Sequence, residues 1–254
     1  MTTGRHAPRN FPQRQVQFPG DHRLSTIGRQ LESAVIETGH HGPVVANTRT
    51  LRDAIGLLGR TGGRIIVGEG IYRFNAQLLI GRPNVHIMST SPGKTVFKRT
   101  ATEATAMIKF TGAECIFEGI RFIDENSTGY CLETTGDRTI VRNCFFEDVN
   151  GGIKVDGADF CTVEGNHFVD AGGTNIEFAN TCVGALISNN RFETGLEFNI
   201  LLSTGTTEST MVGNVLDWAS GEISSPYRAT GMQALATIPL VNVVDSSSNI
   251  TETV

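Results

Sequence analysis

Phe117-Glu118-Gly119-Ile120-Arg121-Phe122 is echoed by Val141-Arg142-Asn143-Cys144-Phe145-Phe146 and then by Val163-Glu164-Gly165-Asn166-His167-Phe168. Two more echoes follow, Ile187-Ser188-Asn189-Asn190-Arg191-Phe192 and Val212-Gly213-Asn214-Val215-Leu216. Successive segments end 24, 22, 24 and 24 residues apart. A fixed period in the twenties marks a solenoid, in which each repeat covers the next and none buries a core alone. The alternation inside the period indicates strands. Ile153 and Val155, Ile176 and Phe178, and Ile200 and Leu202 are apolar at every second residue, as one buried face requires. The reading is therefore all-β, a right-handed single-stranded parallel β-helix.

Two columns follow from stacking such coils. Phe122, Phe146, Phe168, Phe192 and Leu216 are expected to form an interior ladder. Asn143, Asn166, Asn190 and Asn214 precede them, where the chain must turn sharply. Asn tolerates left-handed backbone angles, and its amide can bond to the Asn of the next coil. These four are read as a structural ladder.

Upstream, residues 1–22 are rich in Arg, Pro, Gln and His without periodicity, the composition of an arm. Ile27, Leu31, Ala34 and Val35 are spaced as a short helix between Ser25 and Gly39. A second helix is expected after Thr50 as cap, with Asp53 at the capping-box position and Leu51, Ala54, Ile55 and Leu58 on one face. Strands are expected at residues 64–67, 78–80 and 85–88. Downstream the repeat fades near Ala219, and the apolar run from Leu235 to Val244 reads as a cap or an intermolecular strand. This divides the chain into an attachment segment (1–43), a solenoid (44–218) and a tail (219–254).

The helix followed by Gly62-Gly63-Arg64-Ile65-Ile66-Val67-Gly68-Glu69-Gly70-Ile71-Tyr72, then by Asn84-Val85-His86-Ile87-Met88, resembles the entry to β-helices of the pectate-lyase-like superfamily. The Gly-Asn-His-Phe and Asn-Asn-Arg-Phe units resemble that superfamily's repeat. The resemblance implies a helix capping the open end of the stack. It also implies, for enzymes, acidic and basic side chains on the outer faces of neighbouring coils. Lyases use a base, often with calcium, and hydrolases use two or three carboxylates.

One outward column fits that description. Glu133, Lys154 and Glu177 align, with Leu201 next and Asp156 beside them. They suit acid–base work on a sugar, and equally a ladder of alternating charge that stabilises a sheet. Asp124, Asp148 and Asp170 each follow an interior Phe by two residues and could hold a cation or cap turns. No Cys or His spacing matches a zinc site, so neither metal nor cofactor is expected. The Asp-Asp, Asn-Thr-Asp and Arg-Ile-Lys motifs of polygalacturonase-like enzymes are missing, as are the Trp-Ile-Asp-His and Arg-x-Pro-x-x-Arg patterns of pectate lyases.

The totals narrow the partners. A net charge of -5 over 254 residues does not suggest a nucleic-acid binder. Residues 1–41 carry five Arg against Asp21, Glu32 and Glu37, a net of +2. Arg5, Arg9, Arg14 and Arg23 are candidate partner-binding residues, since guanidinium groups pair carboxylates bidentately. No apolar run opens the chain as a signal peptide or reaches membrane-spanning length. The five Cys are expected to be reduced, with several packed as small core residues. Trimeric β-helices of this type occur in phage tailspikes, fibres and head decorations. The expectation is thus a non-enzymatic virion protein, a homotrimer made in the host cytoplasm that docks through residues 1–43 and meets host surface glycans. The alternative is a polysaccharide lyase or glycoside hydrolase.

Overall fold

A computed structural model describes residues 46–100, 102, 104–124, 128–195, 199–202 and 206–217, with the strands Val16–Gln17, Val35–Thr38, Tyr227–Ala229 and Val244–Asp245. The chain winds as a right-handed parallel β-helix whose coils each contribute one strand to three sheets. In the coil that starts at Ile140 these are Ile140–Arg142 in sheet 1, Phe145–Val149 in sheet 2 and Gly151–Asp156 in sheet 3. The next coil repeats them as Thr162–Glu164, His167–Ala171 and Ile176–Ala179. Pairing is parallel throughout these stacks, so each coil supplies the hydrogen bonds of its neighbours.

The predicted Phe column forms. Phe122, Phe146, Phe168 and Phe192 are buried and stack face to face, with centroids 5.0, 4.7 and 5.1 Å apart and planes within 10° of parallel. That spacing is the strand repeat itself, so the rings follow the coils rather than choosing an edge-on arrangement. Leu216 pairs in register with Phe192. Below Phe122 the column changes: Phe97 meets it edge-on, at 86°.

Between sheets 1 and 2 the turn is two residues long, and its first residue has a left-handed backbone. Gly119, Asn143, Gly165, Asn189 and Gly213 occupy it with φ of 73, 54, 63, 55 and 66°. The second residue is buried and forms the ladder: Ile120, Cys144, Asn166, Asn190, Asn214. Asn143 therefore does not belong to the amide ladder. It stands one residue earlier than the other three relative to its Phe, and the rung in its coil is Cys144. Asn166, Asn190 and Asn214 bond along the axis through their side chains at 3.0 Å. Gly165 is needed beside Asn143, whose Oδ1 lies 2.8 Å from where a Cβ would stand.

The helix α1 spans Thr48–Leu57, so Thr50 lies inside it rather than at its cap. It buries Leu51, Ala54 and Ile55 against the first coils, with Leu58 just beyond its end. Arg82 donates to the carbonyls of Leu58 and Gly59 and so closes the helix's C-terminal end. The helix read around Ile27 to Val35 is corrected where it can be seen: Val35–Thr38 is a strand of sheet 1, paired with Gly63–Val67. A free sheet edge at Arg64–Val67 offers hydrogen bonds that a short isolated helix cannot match. Ile27, Leu31 and Ala34 lie outside the described residues. Downstream, Tyr227–Ala229 pairs with Ile200–Leu202 and Val244–Asp245 with Val215–Asp217. Val244 thus pairs within its own chain, while Leu235–Val243 lie outside the described residues.

Candidate functional site

Sheet 3 carries the outward charges that the repeat singled out. Its register runs Leu79, Lys109, Glu133, Lys154, Glu177, Leu201, one residue per coil. Glu133 and Glu177 are two coils apart, roughly 9.6 Å along the axis at the strand spacing, with Lys154 between. Lys109 was missed because its strand lies before the clear part of the repeat. Lys109 Nζ meets Glu133 Oε1 at 2.5 Å, and Lys154 Nζ lies 3.9 Å from Asp156 Oδ2. Asp156 also accepts a hydrogen bond from Asn180. Tyr130 is the second unforeseen member. Its ring lies over Gly151, where a Cβ would come within 2.7 Å of Cδ1, and its hydroxyl donates to Glu177. Only a glycine at 151 lets the phenol cross a whole coil.

The Asp124, Asp148, Asp170 column does not exist. The register slips between Ile123 and Asp124, so Asp124 pairs with Val149. Asp148 and Asp170 are extra residues with φ of 49 and 52°, and each bulges out to solvent. Asp124 keeps the strand alternation and points inward. There it lies 3.0 Å from Arg99, in a pair 4% and 1% exposed. Arg99 also donates to the carbonyls of Thr105 and Tyr130 at 2.6 and 2.8 Å. Among the described residues no group of three or more His, Cys, Asp or Glu is placed to hold a metal ion.

All five cysteines are buried free thiols. Burial pushes Cys144 and Cys161 up to about 12 and raises Cys115, Cys131 and Cys182 as well. A thiol held that high is not a nucleophile near neutral pH. Arg5, Arg9, Arg14 and Arg23 lie outside the described residues.

The other two faces are laced in the same way. On sheet 2 Arg121 bonds Glu147 through Nε at 2.7 Å and lies 5.4 Å from the Phe145 ring centroid. His167 and Arg191 meet Glu193 at 3.0 and 2.7 Å. On sheet 1 Glu118 accepts from His86 at 3.1 Å and from Arg142 at 2.9 Å. Burial lowers the His86 pKa, against the raising effect of the Glu118 hydrogen bond. For Glu118 burial alone would raise the pKa, but the hydrogen bond and charge of Arg142, then His86, outweigh it and hold the carboxyl low. Both groups carry fewer protons folded than unfolded, so both lose stability in acid. His86 acts as pH falls below about 6.5, and Glu118 below about 4.3. The melting temperature is expected to fall between pH 7 and pH 4, with the upper part of the fall absent from His86→Gln. A flat profile in the wild type would refute this account.

Residues 89–235 match the family model for right-handed β-helix regions. The chain belongs to that family. No curated protein sequence is significantly similar to it. Solved structures similar to this β-helix include ORF18 of Geobacillus virus E2, with TM-score 0.58 and 13% identity, covering 67% of this chain and 42% of that one. An alginate lyase from Paenibacillus sp. str. FPU-7 has TM-score 0.59 and 15% identity, covering 72% and 66%. A putative glycosyl hydrolase from Parabacteroides merdae has TM-score 0.54 and 12% identity, covering 71% and 97%. The β-helix thus spans less than two thirds of the length of the first two. At such identities the likeness is one of fold. Among the described residues no helix is long and apolar enough to cross a membrane.

Proposed function

We infer that this β-helix is a non-catalytic structural component of a bacteriophage virion, a homotrimer that docks through residues 1–43. The observation that carries the reading is the state of the sheet 3 column. Glu133 is held by Lys109, Asp156 by Asn180 and Lys154, and Glu177 by Tyr130. The same kind of lacing covers sheets 1 and 2, so the charges work as ladders of the solenoid wall. Connections from Ile140 to Leu186 are one to six residues long, too short to wall a cleft. The fold shared with a virus-encoded chain is in keeping with this reading.

Light scattering on the full-length protein should give three times the chain's 27.4 kDa. A stable monomer would overturn the trimer. A second reading, a polysaccharide-degrading enzyme, has one observation in its favour: the phenol of Tyr130 bonds Glu177, and Lys154 is its register neighbour on the adjacent strand. Incubation with alginate and with α-1,3-glucan is expected to release no unsaturated uronate and no reducing ends. Release that Glu177→Gln abolishes would transfer the assignment to the enzyme.

A further inference from the structure

The ridge where sheet 3 turns into sheet 1 carries an aromatic side chain that the backbone does not require. Successive coils place Glu114, Arg138, Phe160, Gly184 and Glu208 at one left-handed position, with φ of 60, 54, 55, 69 and 55°. Glycine takes such angles freely, and a bulky aromatic is an outlier there. Gly184 shows that the corner closes with no side chain at all. Phe160 is also 55% exposed, whereas nine other Phe side chains are fully buried.

The ring is seated. Its Cδ1 and Cε1 lie 2.6 and 2.7 Å from where a Cβ on Gly184 would stand, so the ring fills the space that glycine leaves. Arg138, one coil earlier, could have lain on the ring, but it pairs back to Glu114 at 2.8 Å. Among the described residues no cation and no second ring stacks on Phe160. Fixed acceptors stand beside it. Asp137 Oδ1 accepts from the Asp159 amide at 3.0 Å, and Asp159 Oδ1 from the Val183 amide at 2.9 Å. One oxygen of each carboxylate anchors it to the next coil and so fixes its orientation.

We propose that Phe160 is the stacking platform of a carbohydrate-binding site on this ridge, with Asp137 and Asp159 as hydroxyl acceptors. A pyranose offers C–H groups on its face and hydroxyl donors at its rim, which matches an aromatic surface bordered by oriented carboxylates. The same carboxylates, with Glu208 along the ridge, repel an anionic sugar. The ligand is therefore a neutral glycan. The site is independent of the charged column on sheet 3 and of the virion reading.

The test uses the full-length chain on a printed panel of neutral and acidic oligosaccharides, followed by titration with the best neutral binder. Wild type should retain a neutral glycan and reject uronates. Phe160→Gly should bind at least tenfold more weakly with a melting temperature unchanged or raised, and Glu177→Gln should bind as wild type does. Retention of no neutral glycan, equal affinity in Phe160→Gly, or weakened binding in Glu177→Gln would overturn the site. A lower melting temperature in Phe160→Gly would overturn it too, because the ring would then be a packing element.

Discussion

Asp124→Ala is expected to destabilise the fold by about 3–5 kcal/mol, the usual loss when one partner of a buried ion pair is removed. The guanidinium of Arg99 would stay inside the wall, bound to the carbonyls of Thr105 and Tyr130 but without the Asp124 carboxylate beside it. Water cannot relieve it, since Arg99 and Asp124 are 4% and 1% exposed. Arg99→Met with Asp124→Leu should recover part of the loss, because the desolvation of both charges disappears. Recovery stays incomplete because the two carbonyls then lose their donor. Solenoid coils contact only their neighbours, so the damage should be local at first. Amide exchange should speed up around residues 121–134 before it changes near residue 190. Denaturant unfolding supplies the magnitude, and a loss below about 1 kcal/mol would mean that the charge is solvated after all.

How Asp124 escaped the sequence reading shows what a repeat can and cannot convey. Phe122, Phe146, Phe168 and Phe192 were legible because each fills the same interior position of a repeated segment, and a stack of identical positions needs no further information. The bulges were not. Asp148 and Asp170 sit in coils that insert one residue after the outward Glu147 and Val169, whereas the coil of Asp124 inserts none. A carboxylate two residues beyond an inward Phe should point inward by strand alternation, and Asp124 obeys that rule. The other two break it through left-handed backbones that Asp tolerates. The outward column Glu133, Lys154, Glu177 was legible because its strands pair without a slip. Tyr130 was not, because its reach depends on Gly151 in the following coil, a cross-coil fact that no local pattern carries. Val35–Thr38, the end of the short helix read before Gly39, is a strand because the edge of sheet 1 was there to be paired.

Asn190→Ala is expected to have an effect as large as that of Asp124→Ala, from neutral groups alone. Asn190 Oδ1 accepts from both the backbone amide and the side-chain amide of Asn166, at 3.0 Å each. Its own Nδ2 donates to Val163 O at 2.9 Å and to Asn214 Oδ1 at 3.0 Å. Truncation leaves the Asn166 amide, one Asn166 side-chain hydrogen and the Val163 carbonyl without these partners in a buried turn. At roughly 1–3 kcal/mol for each buried group left unpaired, the loss should reach about 3–5 kcal/mol. Position in the ladder sets the size. Cys144 holds the same turn position one coil below Asn166 and offers no amide, yet its backbone N–H is satisfied by Asn166 Oδ1 at 2.9 Å. A ladder can therefore end on a side chain without an amide, because the rung at that end only donates, through its backbone N–H. An interior rung must give and receive, so Asn190→Cys should be nearly as damaging as Asn190→Ala although Cys serves at 144. Denaturant midpoints of the two variants decide it. If Asn190→Cys matched wild type, the amide ladder would be a consequence of the turn rather than a source of its stability.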